Sequence, residues 1–542
     1  MKKILIIVIA VIGVVGLLIV LNFQTIITKY VSYKVEKNIS DQVKIQYDDE
    51  KKTNVKNKID IEQFSDELNK MNDSKFEKID KLVVNSTIEG IQNMYDTNRL
   101  SCEELVTYYL KKIEKYDIDK LNSIIELNPD AIKIAKEKDK GDKKGKLYGI
   151  PITLKANIGT ADKLHTTAGA YALKDSILDE DSFIVKRLRE EGAIILGKAN
   201  LSEFANYMTS KSSNGYSALG GQTHNPYGKY DVGGSSSGSA ASVAAGFSVA
   251  SIGTETAGSM VYPSSQNSVV GLKPSIGLVS RDRIIPIIEA QDTAGVVARN
   301  VKDTALILDT ISAYDKNDIV TEEVKKHKED YTKYIEKDSI KGLKVAIVRP
   351  LVARDEEDEI LNRIGKEFEG MGAKVTNTAF SKESNSIEMG KALEVGFKYD
   401  INKYLKVAKV NGINNLNDII EFNKKDLENR APFGQDLLEK SLEDKTSIED
   451  YKKLIDKNKE AGSKEIDGIL KDADVIVSLS NQAASLYAPA GYPALTVPTG
   501  YKSTGEPIGV TFVASKFQDG KLIEIANIYE NNTKHRKEPN LE

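Results

Sequence analysis

The chain has 542 residues, with 76 Lys and Arg against 80 Asp and Glu, a formal net charge of −4. One cysteine, Cys102, excludes an intramolecular disulfide and any Cys-based zinc or iron–sulfur site, and four scattered histidines leave little for a multi-histidine metal site. The near-neutral balance gives no reason to expect nucleic-acid binding, and a 40% hydrophobic share describes a globular body rather than a polytopic membrane protein.

Met1-Lys2-Lys3 is followed by 18 residues without a polar side chain, Ile4 to Leu21. As a helix they span roughly 27 Å, close to a hydrocarbon core of about 30 Å. The run predicts an N-terminal transmembrane helix over 4–22, behind a short cytoplasmic tail of residues 1–3. Lys2 and Lys3 favour an inside N-terminus. The expectation is a single-pass protein of the cell membrane with an extracellular body. The alternative is a cleavable signal peptide, but its apolar region is typically about 7–15 residues, and no A-x-A site follows Ala10. Residues 23–79, rich in Lys, Asp, Glu, Asn and Gln, read as a charged, solvated stalk.

A globular body is expected over 80–540. Ser101 with Glu104 forms a capping box that opens a helix through Ile113. Short apolar runs then alternate with helical stretches. Ile150–Leu154, Ala193–Leu196, Lys344–Val348, Val475–Val477, Leu495–Val497 and Gly509–Val513 read as buried strands. Residues 395–465 read as a peripheral helical region. This alternation predicts one large α/β domain with a central sheet covered by helices on both faces.

Three segments carry chemistry. Lys155 ends the buried run Ile150–Leu154, where desolvation would lower its pKa and make it a base. Gly233-Gly234-Ser235-Ser236-Ser237-Gly238-Ser239 leads into the helix former Ala240–Ala245, so hydroxyls and N–H groups gather at its start. Gly253-Thr254-Glu255-Thr256-Ala257-Gly258-Ser259 follows an apolar stretch, and its small residues let successive N–H groups point to one spot. Gly234–Gly238 also fits the G-x-S-x-G elbow, but that motif needs a strand before it, and residues 225–232 read as turns.

Together these segments resemble the amidase signature family of Ser–Ser–Lys serine hydrolases. The resemblance also includes Gly197–Phe204, Val269–Pro274, Gln291–Gly295 and Ala490–Pro498. It implies the family's fold, with a twisted mixed sheet. It implies Ser259 as nucleophile, Ser235 as a bridging serine after a cis peptide bond, and Lys155 as base. The N–H groups of Thr256, Ala257, Gly258 and Ser259 would form the oxyanion hole. No metal or cofactor is implied. The chain departs from the family pattern at Ala156, Gly159, Ala257 and Val261.

Gly221–Tyr227 and Leu278–Arg281 resemble the bacterial peptide-amidase-like group. The expected function is a membrane-anchored amidase acting on a small amide or a peptide C-terminal amide, with the membrane as a partner through its N-terminal helix. The alternatives are a catalytically idle binding or scaffold protein on this fold, and an amidotransferase A-type subunit, against which the anchor argues.

Overall fold

Short β-branched runs become the strands of one sheet. The computed structural model describes residues 37, 40–41, 43–47, 59–350, 355–381 and 386–542. In chain order the strands are β1 (Ile124–Leu127), β2 (Pro151–Lys155), β3 (Ile194–Ala199), a small separate pair β4 (Tyr216–Ser217) and β5 (Gly221–Gln222), then β6 (Ala250–Glu255), β7 (Val270–Lys273), β8 (Thr293–Ala298), β9 (Lys344–Val348), β10 (Lys374–Thr378), β11 (Val475–Leu479), β12 (Ala494–Tyr501) and β13 (Pro507–Val513). The main sheet has eleven strands in the order β1-β3-β2-β6-β8-β7-β12-β13-β11-β9-β10. It is mixed: β3, β2 and β6 run parallel, with β1 antiparallel to β3 at the edge, and β11, β9 and β10 run parallel at the other end, with antiparallel pairs between.

The central strands are buried along their whole length, as continuous apolar runs require when both faces are covered. In β8, Val296 packs in the core cluster that holds Ile307 and Leu308, whereas its neighbour Val297 packs against Val243 and Ala244. Alternate side chains point to opposite faces, so helix Val301–Ile311 covers one face and helix Ser237–Ala244 the other. The helical region falls into five helices between Met389 and Leu470. Its Phe397, Ile401 and Leu405 pack on Leu201, Phe204 and Tyr207.

The Ser101–Glu104 capping box is present at helix Cys102–Tyr116, and all six expected strands form. One start differs from the sequence expectation. Phe64, Leu68, Met71 and Ile79 are buried in the main core, so the segment expected as a stalk contributes core side chains from Phe64 onward. Widely spaced apolar residues in a charged stretch hid this amphipathic packing.

The transmembrane helix is corrected. No helix among the described residues is long and apolar enough to cross a membrane, and the Ile4–Leu21 run lies outside them. The fold is therefore stated as the α/β body alone. The membrane partnership and the single-pass extracellular placement are withdrawn with the helix. So is the argument against an amidotransferase A-type subunit that rested on it.

Ser101 accepts the Glu104 N–H at 3.1 Å, and the Glu104 carboxylate accepts the Ser101 N–H at 3.1 Å. Ser101→Ala loses one arm of this box and should cost about 1 kcal/mol, read as a shift of the urea unfolding curve.

Candidate functional site

Strands β2 and β6 are parallel neighbours, with Leu154 opposite Ile252. Their carboxyl ends therefore lie side by side, the usual place for a site in such a sheet. β2 delivers Lys155 there and β6 delivers Thr254 and Glu255. Lys155 is fully buried. Its Nζ lies 2.8 Å from Ser235 Oγ, 2.9 Å from Thr254 Oγ1 and 3.2 Å from the Thr254 carbonyl. Desolvation lowers its pKa to about 7, opposed by the negative charges of Asp292 and Glu255.

A neutral amine has two N–H donors and one lone pair. Thr254 supplies two acceptors for the N–H groups, which leaves the lone pair for the Ser235 hydroxyl. Two further lysines end up fully buried at strand ends, both with pKa lowered to about 8 by desolvation. Lys273 donates to the carbonyls of Pro274 and Tyr492. Lys198 donates to the Ile158 carbonyl and reaches Thr166 Oγ1 only at 3.4 Å. Carbonyls have no proton to give, so Lys155 is the one of the three with a close hydroxyl to deprotonate.

Ser235 sits on the loop before helix Ser237–Ala244. The Gly234–Ser235 peptide bond is cis, and the Ser235 carbonyl accepts the Ser202 N–H at 3.1 Å. Ser236 ties this loop to β6: its Oγ donates to the Thr254 carbonyl at 2.9 Å, and its N–H donates to the Ser259 carbonyl at 3.2 Å. A side chain at Gly253 would leave no room for this, since a Cβ there would lie 2.8 Å from Ser236 Oγ.

Thr256 to Ser259 form the turn after β6. Gly258 has φ +85°, which favours glycine, and a Cβ on it would crowd Asn481 Cβ at 3.2 Å. The Glu255 carboxylate accepts the N–H groups of Met260 and Val261 at 2.7 and 3.1 Å, and the Tyr262 N–H donates to the Gly258 carbonyl at 2.8 Å. These bonds clamp the far side of the turn. Among the described residues, none accepts from the backbone N–H of Ala257, Gly258 or Ser259. Val261, one of the departures from the family pattern, is buried in the apolar cluster of Tyr487 and Ala484.

Behind this turn, Asp292 lies just before β8, the strand that pairs Thr293 with Glu255. Its carboxylate accepts from the Thr256 hydroxyl and, at 2.8 Å, from the Ile287 N–H. Burial pushes its pKa up to about 7. A cavity of about 30 Å³, room for about one water, is bounded by Asn157, Thr254, Thr256 and Asp292. Asn157 Nδ2 donates to Thr254 Oγ1 at 3.1 Å.

Beside this turn and the Ser235 loop lies an open cleft of about 590 Å³, whose lining includes none of Lys155, Ser235 and Ser259. Its wall residue Asn481 abuts Gly258 and its Asn214 abuts Gly234. Asn206 reaches the cleft through an unusual turn: Phe204, Ala205 and Asn206 all have positive φ. The sequence did not point to Thr254, Glu255, Ser236 or Asp292 as individuals. The first two stood inside a recognised motif, and Asp292 in another, but nothing in the sequence said the two motifs touch. No group of His, Cys, Asp and Glu among the described residues is placed to hold a metal ion.

The model of the family described as Amidase matches residues 104–489. An Arabidopsis thaliana protein named as a probable amidase is 37% identical over 84% of this chain and 91% of its own length. The crystal structure of an amidase family protein from Bacillus anthracis superposes with a TM-score of 0.84 at 40% identity, covering 89% of this chain and 97% of that one. The native peptide amidase of Stenotrophomonas maltophilia superposes with a TM-score of 0.80 at 34% identity, covering 84% of this chain and 99% of that one.

Asp292→Asn removes a negative charge that favours the protonated form of Lys155. The Lys155 ammonium should then titrate below about 7, measured by NMR on the lysine side chain.

Proposed function

This chain belongs to the amidase family, and from that premise we propose that it cleaves a carboxylic amide through an acyl-enzyme on Ser259, with Lys155 and Ser235 as a proton relay. The observation that carries the reading is the buried Lys155 Nζ at 2.8 Å from Ser235 Oγ, with its pKa lowered to about 7. A base with a pKa near the working pH is half neutral there and can both take and return a proton.

Ser259 attacks the carbonyl carbon as its proton passes through Ser235 to Lys155. Negative charge builds on the carbonyl oxygen, and in this reading the unpartnered N–H groups of Ala257, Gly258 and Ser259, with Thr256 beside them, receive it. An amine leaves only when protonated, so the relay runs backward and delivers the proton to the departing nitrogen. Water then repeats the cycle on the acyl-enzyme. Thr254 holds the amine of Lys155, and Glu255 holds the turn.

The substrate class we propose is a small amide or a peptide C-terminal amide. The similarity to a peptide amidase supports it. So does the cleft, whose walls carry Asn206 and Asn481, side chains suited to peptide N–H and C=O groups. Its lysine, Lys502, is already paired with Glu506 at 2.8 Å, which disfavours recognition of a free terminal carboxylate. A catalytically idle scaffold would have no use for a buried lysine aimed at a serine hydroxyl. An amidotransferase A-type subunit is separated by one result: ammonia release by the isolated chain from an amidated peptide.

Purified protein should release ammonia from amidated dipeptides and be labelled by a fluorophosphonate. Ser259→Ala should lose labelling and at least about 10³-fold in kcat, and Lys155→Ala a comparable factor. Labelling that survives in Ser259→Ala would move the nucleophile elsewhere. Lys155 works as the neutral amine, so kcat/KM should fall tenfold per pH unit below about pH 7 and level off above it.

A further inference from the structure

We infer that Gln46, which lies outside the span matched by the family, is a positioning residue for the loop that carries Ser235. The inference rests on the relay proposed above. Residues 43–47 are helical, and they place the Gln46 side chain in the body with 1% of its surface exposed. Both ends of its amide are used. Nε2 donates to Asp231 Oδ1 at 2.7 Å, and Oε1 accepts the Val232 N–H at 3.3 Å.

Asp231 is the anchor of that loop. Its carboxylate also accepts the Gly233 N–H at 2.9 Å, the Tyr262 hydroxyl at 2.6 Å and the Asn214 amide at 3.0 Å. Gly233 leads directly into Gly234 and Ser235, while Tyr262 and Asn214 line the cleft. One carboxylate thus fixes the reacting loop and two walls of the substrate site together.

Gln46 completes that arrangement in a way few side chains can. It must donate to a carboxylate and accept from a neighbouring N–H at the same time. An apolar side chain would leave both groups short of a partner, and a glutamate would set a second carboxylate against Asp231. Tyr47 secures the segment. Its hydroxyl lies 3.0 Å from the carbonyls of Gly228 and Tyr230 and accepts the Asn225 N–H at 3.2 Å. Its ring stacks on His224 at 5.0 Å, and the Gln46 carbonyl lies 3.2 Å from His224 Nε2. The segment therefore grips residues 224–232, the approach to Ser235, at several points.

The test uses the full chain with Gln46→Ala and Gln46→Glu, and with Lys44→Ala as control, since Lys44 is exposed on the same helical segment. Backbone hydrogen exchange at Val232 and Gly233 should quicken about tenfold in Gln46→Ala and stay unchanged in the control. On an amidated dipeptide, kcat/KM should fall about 5- to 10-fold in Gln46→Ala and further in Gln46→Glu, in both kcat and KM. A lower unfolding temperature with wild-type exchange, kcat and KM well below it would reduce Gln46 to a purely structural contact and overturn the inference. If exchange responds as expected while wild type cleaves no amide, the positioning stands and the relay reading fails.

Discussion

The proposed relay depends on hiding the amine of Lys155 from water. Lys155 ends a strand with its charge in the interior, and burial makes the charged form costly. In the proposed relay, that cost is what would let the residue act as a base near neutral pH. It is tolerable only because oxygen atoms surround the nitrogen, and these come from separate parts of the chain. Thr254 arrives on the neighbouring parallel strand, and Ser235 arrives on a loop 80 residues later in the sequence. Remove the parallel pairing of β2 and β6 and no short side chain could bridge the gap.

Lys198 and Lys273 sharpen the point. Both are as buried as Lys155 and both have lowered pKa values. Burial alone therefore does not make a catalytic base. What differs is the partner: backbone carbonyls fix those two lysines, while a serine hydroxyl faces the third. A pKa near neutrality marks a candidate, and the chemistry of the facing atom decides among candidates.

The sequence carried much of this, unevenly. Strands such as Lys344–Val348 were legible because strands buried on both faces read as unbroken apolar runs. The Ser101 cap was legible because its two partners are three residues apart. Lys155, Ser235 and Ser259 drew attention through motifs in the right order. The contacts around them were not legible, because Thr254, Asp292 and Ser236 are brought there by the pairing of β6 with β2 and β8. Phe64 and Leu68 were hidden among charges, and the left-handed turn of Phe204 to Asn206 uses none of the glycines that announce such turns. Gln46 gave no signal at all: a lone glutamine among charged residues matters only once the fold brings it to Asp231.

The helices between Met389 and Leu470 stand apart from the proposed relay. Lys155, Ser235 and Ser259, with the turn between β6 and helix Val261–Gln266, all come from one continuous stretch of the first half. The helices instead pack over Phe204 and Tyr207, and Leu437 reaches the cleft rim while Asp436 holds Thr209 and Ser210 beside it. Selection can therefore act on the two parts separately. On the proposed relay, substitutions at Leu437 or Asp436 would reshape the cleft rim without contact to Lys155, Ser235 or Ser259. What enters the cleft and what happens inside it would then be open to separate change.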